Sequence, residues 1–168
     1  MLSPSIYQMP QPYPMPHGLS RNIRYARILQ SVYSSGVSEL TAIHQYTYHQ
    51  IITGREHPQL SRLLGDIAAV EMQHLKMLGE CILQLGLHPN YSYYQGTRRV
   101  RWNAGFVEYG RGAKGIIDIS IRAEQQTIEG YYHAMRCIAD GQIIALLKRI
   151  AEDEEQHISA LTDMRGKI

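Results

Sequence analysis

Two short segments of the sequence place a glutamate and a histidine three positions apart: Glu71 with His74, and Glu154 with His157. Residues three apart lie on the same side of a helix, so each segment can offer a carboxylate oxygen and an imidazole nitrogen to one small cavity. Oxygen and nitrogen donors of this kind suit iron or manganese, and also zinc. One Glu-x-x-His pair occurs by chance on many surface helices, whereas two pairs in one short chain indicate a shared metal site.

Both pairs, and two further glutamates, occupy helix faces that are otherwise apolar. Hydrophobic residues recur at steps of three or four, the period of an amphipathic helix, over residues 20–53, 64–85, 117–138 and 143–161. Glu39 lies on the apolar face of the first stretch and Glu124 on that of the third. Each of the four predicted helices therefore directs one glutamate into the expected core.

Four buried glutamates would carry a charge that nothing else on these faces balances. Burying an unpaired carboxylate costs several kcal/mol, whereas a whole domain is stable by only about 5–15 kcal/mol. No lysine or arginine is predicted on the same faces, so two divalent metal ions are the expected counter-charge. We expect Glu39 and Glu124 to bind one ion each, and Glu71 and Glu154 to bridge the two ions.

The four predicted helices are joined by short breaks, except across residues 87–113. Glycine and proline end the first two helices near residues 54–58 and 86–89, and Asp140-Gly141 separates the last two. Residues 87–113 show neither a helical nor a strand-like period, and their length fits a crossover that runs along a bundle. The sequence therefore predicts an all-α four-helix bundle with a long crossover between helices 2 and 3, and no strands.

The ligand motifs resemble those of a known family. The run from Glu39 to Tyr46 (Glu-Leu-Thr-Ala-Ile-His-Gln-Tyr) is similar to the first helix of bacterioferritins, and the two Glu-x-x-His segments and Glu124 match the other ligand positions of the bacterioferritin and rubrerythrin group. The resemblance covers residues 20–165 and implies a ferritin-like bundle holding two transition-metal ions, iron first and manganese second. It also implies oxidoreductase activity towards peroxide, dioxygen or ferrous iron. Tyr46 matches a tyrosine beside the site, which either donates a hydrogen bond or an electron, or is an ordinary core residue.

Three positions refine what the resemblance implies. Asp153 precedes the second Glu-x-x-His segment, where bacterioferritins have an aspartate that orients the opposite histidine, here His74. Val70 occupies the equivalent position before the first segment, so His157 needs a partner that the sequence does not identify. Rubrerythrins carry a second glutamate where this chain has Thr127, and they usually carry a rubredoxin domain, for which this chain lacks the paired cysteines. Any reductant must then come from an external electron-donor protein.

Three functions follow from these residues. The first is a rubrerythrin-like peroxidase or ferroxidase that acts on hydrogen peroxide, dioxygen or Fe²⁺. The second is a peroxide disproportionation like that of manganese catalases, which needs no external reductant. The third is a structural or interaction protein that is stabilised by its metals without catalysis.

The remainder of the chain suggests how this domain is framed. Residues 1–18 hold five of the seven prolines and form a Tyr/Met-rich N-terminal arm, either a flexible tail or a segment that docks on a neighbouring subunit; residues 19–168 form the bundle domain. The net charge of +2 argues against nucleic acid or an acidic membrane as a partner. Cys81 and Cys137 lie far apart and predict buried thiols. We expect a cytoplasmic protein, and a homodimer.

Overall fold

A computed structural model describes residues 7–168, of which most are helical. The helices are α1 (Ile23–Ser34), α2 (Glu39–Thr53), α3 (Pro58–Gln84), α4 (Gly112–Cys137) and α5 (Gly141–Arg165). Between α3 and α4 lie strands β1 (Ser92–Gln95) and β2 (Arg98–Arg101) and a 3-10 helix, Ala104–Phe106. Both α1 and α2 pack against α3 and α4, and α4 packs along α5, so α1 and α2 together form the first of four bundle helices. The predicted bundle is confirmed.

The first predicted helix is interrupted beside Gly36, a glycine that the sequence marks as a weak position in a helix. Ser35 leaves the helical conformation, and the Ser38 side chain caps α2 by accepting a hydrogen bond from the Thr41 amide at 3.4 Å. The hydroxyls of Ser38 and Thr41 both donate to the Ser35 carbonyl at 2.7 Å. Serine and threonine hydroxyls compete for backbone groups in this way, so this cluster ends one helix and starts the next. The break places Glu39 at the N-terminus of α2, where a negative charge is favoured.

The other helix ends follow the local sequence. Pro58 begins α3, and Gly86, at φ +92°, ends it: the Leu87 amide donates back to the Ile82 carbonyl at 3.1 Å. The Asp140 side chain caps α5 by accepting hydrogen bonds from the backbone amides of Gln142 and Ile143. The predicted breaks at these positions are therefore real helix boundaries.

The crossover contains a β-hairpin, so the prediction that the chain has no strands is wrong. Strand β1 pairs antiparallel with β2, from Ser92 opposite Arg101 to Gln95 opposite Arg98, across a two-residue turn in which Gly96 has φ +61°. Trp102 follows β2, and its indole N–H donates to the Thr41 hydroxyl at 2.9 Å. The hairpin therefore anchors the crossover to the start of α2. The two strands are short and without apolar alternation, which is why the sequence pattern missed them.

The hydrophobic core forms two layers. One layer joins α1 with the second half of α3, the second half of α4 and the first half of α5. The other joins α2 with the first half of α3, the start of α4 and the end of α5. On α3 the second layer ends at Ala68 and the first layer begins at Met77. On α5 the first layer ends at Ala151 and the second begins at Leu161. A polar layer therefore lies between them.

Residues 7–18 of the arm, which we call the docked arm, lie against the bundle of their own chain. Tyr13 and Met15 pack on the first core layer, and the Met9 amide donates to Asp153 on α5 at 2.7 Å. This placement differs from both alternatives that the sequence suggested, a flexible tail or a contact with a neighbouring subunit. Within residues 7–168, no helix combines the length and the hydrophobicity that crossing a membrane requires.

Candidate metal centre

The polar layer is made by the six side chains that the sequence singled out. Helices α2 and α4 contribute one glutamate each, and α3 and α5 contribute one Glu-x-x-His pair each. Every one of the six is at most 2% exposed. The set consists of Glu39, Glu71, His74, Glu124, Glu154 and His157.

The six residues form two overlapping groups of potential ligands. One group adds Glu39 and His74 to Glu71 and Glu154; within it, one donor atom from each residue lies within 4.8 Å of all the others. The other adds Glu124 and His157 to the same two glutamates, within the same limit. The glutamates of the Glu-x-x-His pairs therefore belong to both groups.

In each group the histidine directs its Nδ1 at carboxylate oxygens. His74 Nδ1 lies 3.0 Å from Glu71 Oε2, 3.2 Å from Glu154 Oε1 and 3.7 Å from Glu39 Oε2. His157 Nδ1 lies 3.0 Å from Glu154 Oε2 and 3.1 Å from Glu71 Oε1. The two Nδ1 atoms are thus the nitrogens available to a metal.

The two histidines differ at their other nitrogen. His74 Nε2 lies 3.1 Å from Asp153 Oδ2, the partner that the sequence predicted. His157 Nε2 is buried without a hydrogen-bond partner among the described residues. A carboxylate behind an imidazole fixes its tautomer and orientation, so Nδ1 of His74 is held as an acceptor for metal.

An arginine, which the sequence pattern did not place in the core, accompanies Asp153. Arg149 lies one turn earlier on α5, is 5% exposed, and donates from Nη1 to Asp153 Oδ1 at 2.6 Å. The expectation that these helix faces carry no lysine or arginine is therefore wrong. Because the guanidinium offsets the charge of Asp153, the charges of the four glutamates remain to be balanced.

Burial and neighbouring charges shift the pKa values of Glu39, Glu71 and Glu124 in different directions. Burial raises the pKa of Glu39 and of Glu124 well above the ordinary value, and the negative charges of Glu71 and Glu154 raise both further. Burial also acts to raise the pKa of Glu71, but the two imidazoles outweigh it, so that this pKa lies well below the usual range.

The pKa values of the two histidines are shifted in the same direction. Burial acts to lower the pKa of His74 and of His157, but the surrounding carboxylates outweigh it and raise both values well above normal. Without an ion, the cluster therefore holds protons on imidazoles and on some carboxyl groups. Divalent cations would have to displace these protons.

The donor atoms fit a metal pair on a second ground. Oε1 of Glu39 is buried without a hydrogen-bond partner among the described residues, and Oε1 of Glu71 and of Glu154 have only an imidazole Nδ1 within reach, at 3.1 and 3.2 Å. Buried polar atoms are nearly always satisfied, and unsatisfied ones carry a penalty of about 1–3 kcal/mol each. Metal coordination would satisfy all three at once.

Tyr46 closes the cluster on the side of α2. Its side chain is 2% exposed and its hydroxyl donates to Glu124 Oε1. Burial and the nearby carboxylates, Glu124 first, raise the pKa of Tyr46 well above the ordinary value. The hydroxyl therefore keeps its proton and acts as a donor that orients Glu124.

A small cavity reaches the cluster from the surface. It has a volume of about 40 Å³ and is lined at its inner end by Tyr46, Glu124 and Thr127. Its outer end is lined by exposed residues, among them Val37 and Glu108. One water-sized molecule needs about 10–15 Å³ measured in this way, so the cavity has room for a few such molecules.

Comparison with known proteins agrees with the architecture. A family model described as a ferritin-like domain matches residues 37–168. The chain belongs to the ferritin-like family. Two solved structures of KatB, a manganese catalase from Anabaena (one from Anabaena PCC7120), are similar to this ferritin-like chain with a TM-score of 0.81 and 21% identity. Each similarity covers 89% of this chain and 74% of that chain. No curated protein sequence matches it.

Proposed function

We propose that this ferritin-like chain is a dinuclear metal oxidoreductase that acts on hydrogen peroxide. The observation that carries the proposal is the pair of overlapping ligand groups, which share Glu71 and Glu154 inside a buried layer. Four glutamates neutralise two divalent ions without residual charge, and a sheltered pair of carboxylate-bridged ions is a ligand arrangement known from bundles of this kind. Imidazole and carboxylate donors suit both iron and manganese.

Each side chain has a definite task in this proposal. Glu39 and His74 would hold one ion and Glu124 and His157 the other, and Glu71 and Glu154, which belong to both groups, would be shared between them. Such a pair of ions would supply two-electron redox chemistry towards peroxide. The chain itself excludes bulk water by the apolar layers on both sides of the centre.

Tyr46 and the cavity determine how a substrate approaches. Because its pKa is raised, the Tyr46 hydroxyl keeps its proton on Oη and holds Glu124 by donating to it. The cavity ends at that same carboxylate, so peroxide would enter beside Glu124 rather than beside Glu39. Its small volume favours hydrogen peroxide over alkyl hydroperoxides.

Within this class we favour disproportionation, in which two molecules of hydrogen peroxide give two of water and one of dioxygen. Thr127 stands where rubrerythrins carry an additional glutamate, and it is 7% exposed beside the cavity. A threonine cannot supply a carboxylate to a moving ion, which weakens the rubrerythrin-like peroxidase alternative. The manganese catalase with a similar fold points in the same direction.

The test begins with metal analysis of protein purified without added metal, followed by oxygen-electrode assays with hydrogen peroxide. We expect two ions per chain, and one O₂ for every two H₂O₂ consumed, without a reductant. Peroxide consumption only when a reductant is present would instead establish a peroxidase. Two bound ions with no turnover of peroxide or of Fe²⁺ would establish a structural metal site.

Matched variants connect the activity to the cluster. Replacing both shared glutamates, Glu71→Ala with Glu154→Ala, should abolish metal uptake and turnover together. Glu155→Ala is the control, because Glu155 adjoins a proposed ligand but is exposed. Unchanged metal content in the double variant would refute the site assignment.

A further inference from the structure

The docked arm is bonded to the one carboxylate that lies behind His74. Asp153 is fully buried and accepts four hydrogen bonds or close polar contacts through its two oxygens. Oδ1 accepts from the Met9 amide at 2.7 Å and from Arg149 at 2.6 Å. Oδ2 accepts from the Tyr13 hydroxyl at 2.7 Å and lies 3.1 Å from His74 Nε2. Two of the four partners therefore come from the arm.

Arg149 attaches the same segment at further points. Its Nη2 donates to the Met9 carbonyl at 2.6 Å and its Nε to the Gln11 carbonyl at 3.1 Å. The guanidinium carbon also lies 4.5 Å from the centre of the Tyr13 ring, over its face. Since a buried guanidinium needs its hydrogen bonds satisfied, arm and arginine stabilise each other.

Tyr13 also touches the proposed ligand directly. Its hydroxyl oxygen lies 3.3 Å from His74 Nε2, and the two rings meet edge to face with their centres 5.9 Å apart. The tyrosine thus restricts the rotation of the imidazole from the side opposite the cluster. None of these contacts has an equivalent at His157, whose Nε2 has no hydrogen-bond partner among the described residues.

We propose that Tyr13 is a positioning residue of the metal centre, through which docking of the arm and retention of the ion at the His74 position are coupled. The inference rests on the proposed metal centre and adds to it. The arm holds Asp153, Asp153 holds the imidazole, and the imidazole presents Nδ1 to the ion. Loss of the arm contacts would loosen one of the two ion positions and leave the other unchanged.

The coupling must operate in both directions. If docking of the arm strengthens binding of an ion, binding of that ion strengthens docking of the arm by the same factor. Binding of the ion would therefore stabilise the docked arm, and docking of the arm would slow release of the ion. Changes of partners behind a metal-bound histidine typically alter metal affinity by about 10–100-fold.

The first experiment measures loss of Co²⁺ to a chelator from two single-position backgrounds. Glu124→Gln weakens the His157 position, so that retention reports the His74 position; Glu39→Gln does the reverse. Adding Tyr13→Phe should speed Co²⁺ release about tenfold or more in the first background and leave it unchanged in the second. Equal acceleration in both backgrounds, or in neither, would overturn the coupling.

Tyr33→Phe is the matched control. Like Tyr13, Tyr33 is mostly buried and donates one hydrogen bond, to the Pro89 carbonyl at 3.0 Å, but it lies away from the cluster. We expect this variant to leave Co²⁺ release unchanged in both backgrounds. An effect as large as that of Tyr13→Phe would show that the loss of any buried hydroxyl suffices, which contradicts a positioning role.

The second experiment uses the unmodified protein and tests the reverse direction. Hydrogen exchange of the segment that contains the Met9 amide should slow when Co²⁺ is added, because the amide donates to Asp153. The same segment in the Tyr13→Phe variant should exchange faster and respond less to the ion. If the protein binds two ions but the exchange rate of this segment does not change, the coupling is overturned and the metal centre is not. If the protein binds no ion, the metal centre is overturned as well.

Discussion

His74 and His157 stack across the centre with their ring centres 6.3 Å apart and their planes inclined by 29°. Their Nδ1 atoms face the shared glutamates in the same way, but within residues 7–168 only His74 has a carboxylate behind it. The two halves of the site are thus related by an approximate symmetry that Asp153 breaks. The two ligand groups therefore differ in the contacts that hold their histidine.

Removing the charge of Asp153 should affect both the ion and the fold. Asp153→Asn weakens the hydrogen bond that orients His74, so we expect one of the two ions to bind about tenfold or more weakly. The variant also leaves Arg149 buried without its anion, which should lower the free energy of unfolding by about 3 kcal/mol. Metal titration and denaturant unfolding measure the two effects separately. Asp163→Asn, at an exposed aspartate of the same helix, should change neither.

The stability of the protein without metal should fall as the pH rises from about 5 to 8. In the folded state the pKa values of both cluster histidines, and of Glu39 and Glu124, are raised. Between the unfolded values, about 4.3 for glutamate and 6.5 for histidine, and the higher folded values, the folded state binds more protons, so increasing pH favours unfolding. Glu71 and Asp153 have lowered pKa values and act in the opposite sense only below about pH 5.

Thermal unfolding in EDTA, and with Mn²⁺, tests this pH dependence. In EDTA the midpoint should decrease from pH 5 to pH 8. With Mn²⁺ the trend should reverse, because deprotonation frees the ligands and binding of an ion to the folded state stabilises it. A midpoint in EDTA that rises across this range would contradict the assigned pKa directions.

Filling the cavity should slow the reaction without removing metal. Thr127 follows Glu124 by one helical turn and lines the inner end of the cavity, so the larger side chain of Thr127→Leu should obstruct the path of peroxide. We expect turnover to fall by at least an order of magnitude, about 1.4 kcal/mol in the barrier, with unchanged metal content. Thr127→Val, which keeps the shape of threonine, is the control. Binding of azide to the loaded protein provides a readout that does not depend on turnover.

The two cysteines should differ in reactivity. Cys81 is fully buried, and burial, with smaller contributions from nearby acids, raises its pKa to about 12. Cys137 is partly exposed, so the prediction of a buried thiol is wrong for this residue, and both thiols are free. Because the thiolate is the reactive species, a disulfide reagent should modify one thiol per native chain and two after denaturation. Cys137→Ser should abolish the modification of the native protein; rapid reaction of two thiols in native protein would contradict the burial of Cys81.

The sequence predicted the bundle and the composition of the polar layer because charge on an apolar helix face is a local signal. Glu39 and Glu124 stand out against hydrophobic neighbours, and each Glu-x-x-His pair lies within one helical turn. The structure brings all six side chains together. Their assignment as metal ligands stays a prediction for metal analysis to decide.

The features that the sequence did not predict depend on less periodic interactions. The interruption after α1 arises from hydroxyls of Ser38 and Thr41 that bind one backbone carbonyl, which periodicity does not reveal. The burial of Arg149 depends on carbonyl groups of the docked arm. Tyr13 and Asp153 are 140 positions apart in the sequence, so the residues adjacent to either one do not predict their contact.

The contact between Tyr13 and Asp153 can form only late in synthesis of the chain. A chain made from its N-terminus presents Tyr13 to the cell long before α5 exists, so the arm has nowhere to dock until nearly the whole polypeptide has left the ribosome. The paired helices α2 and α3 can form earlier, with two of the four glutamates already in place. The complete set of six side chains can therefore come together only after α5 has been made.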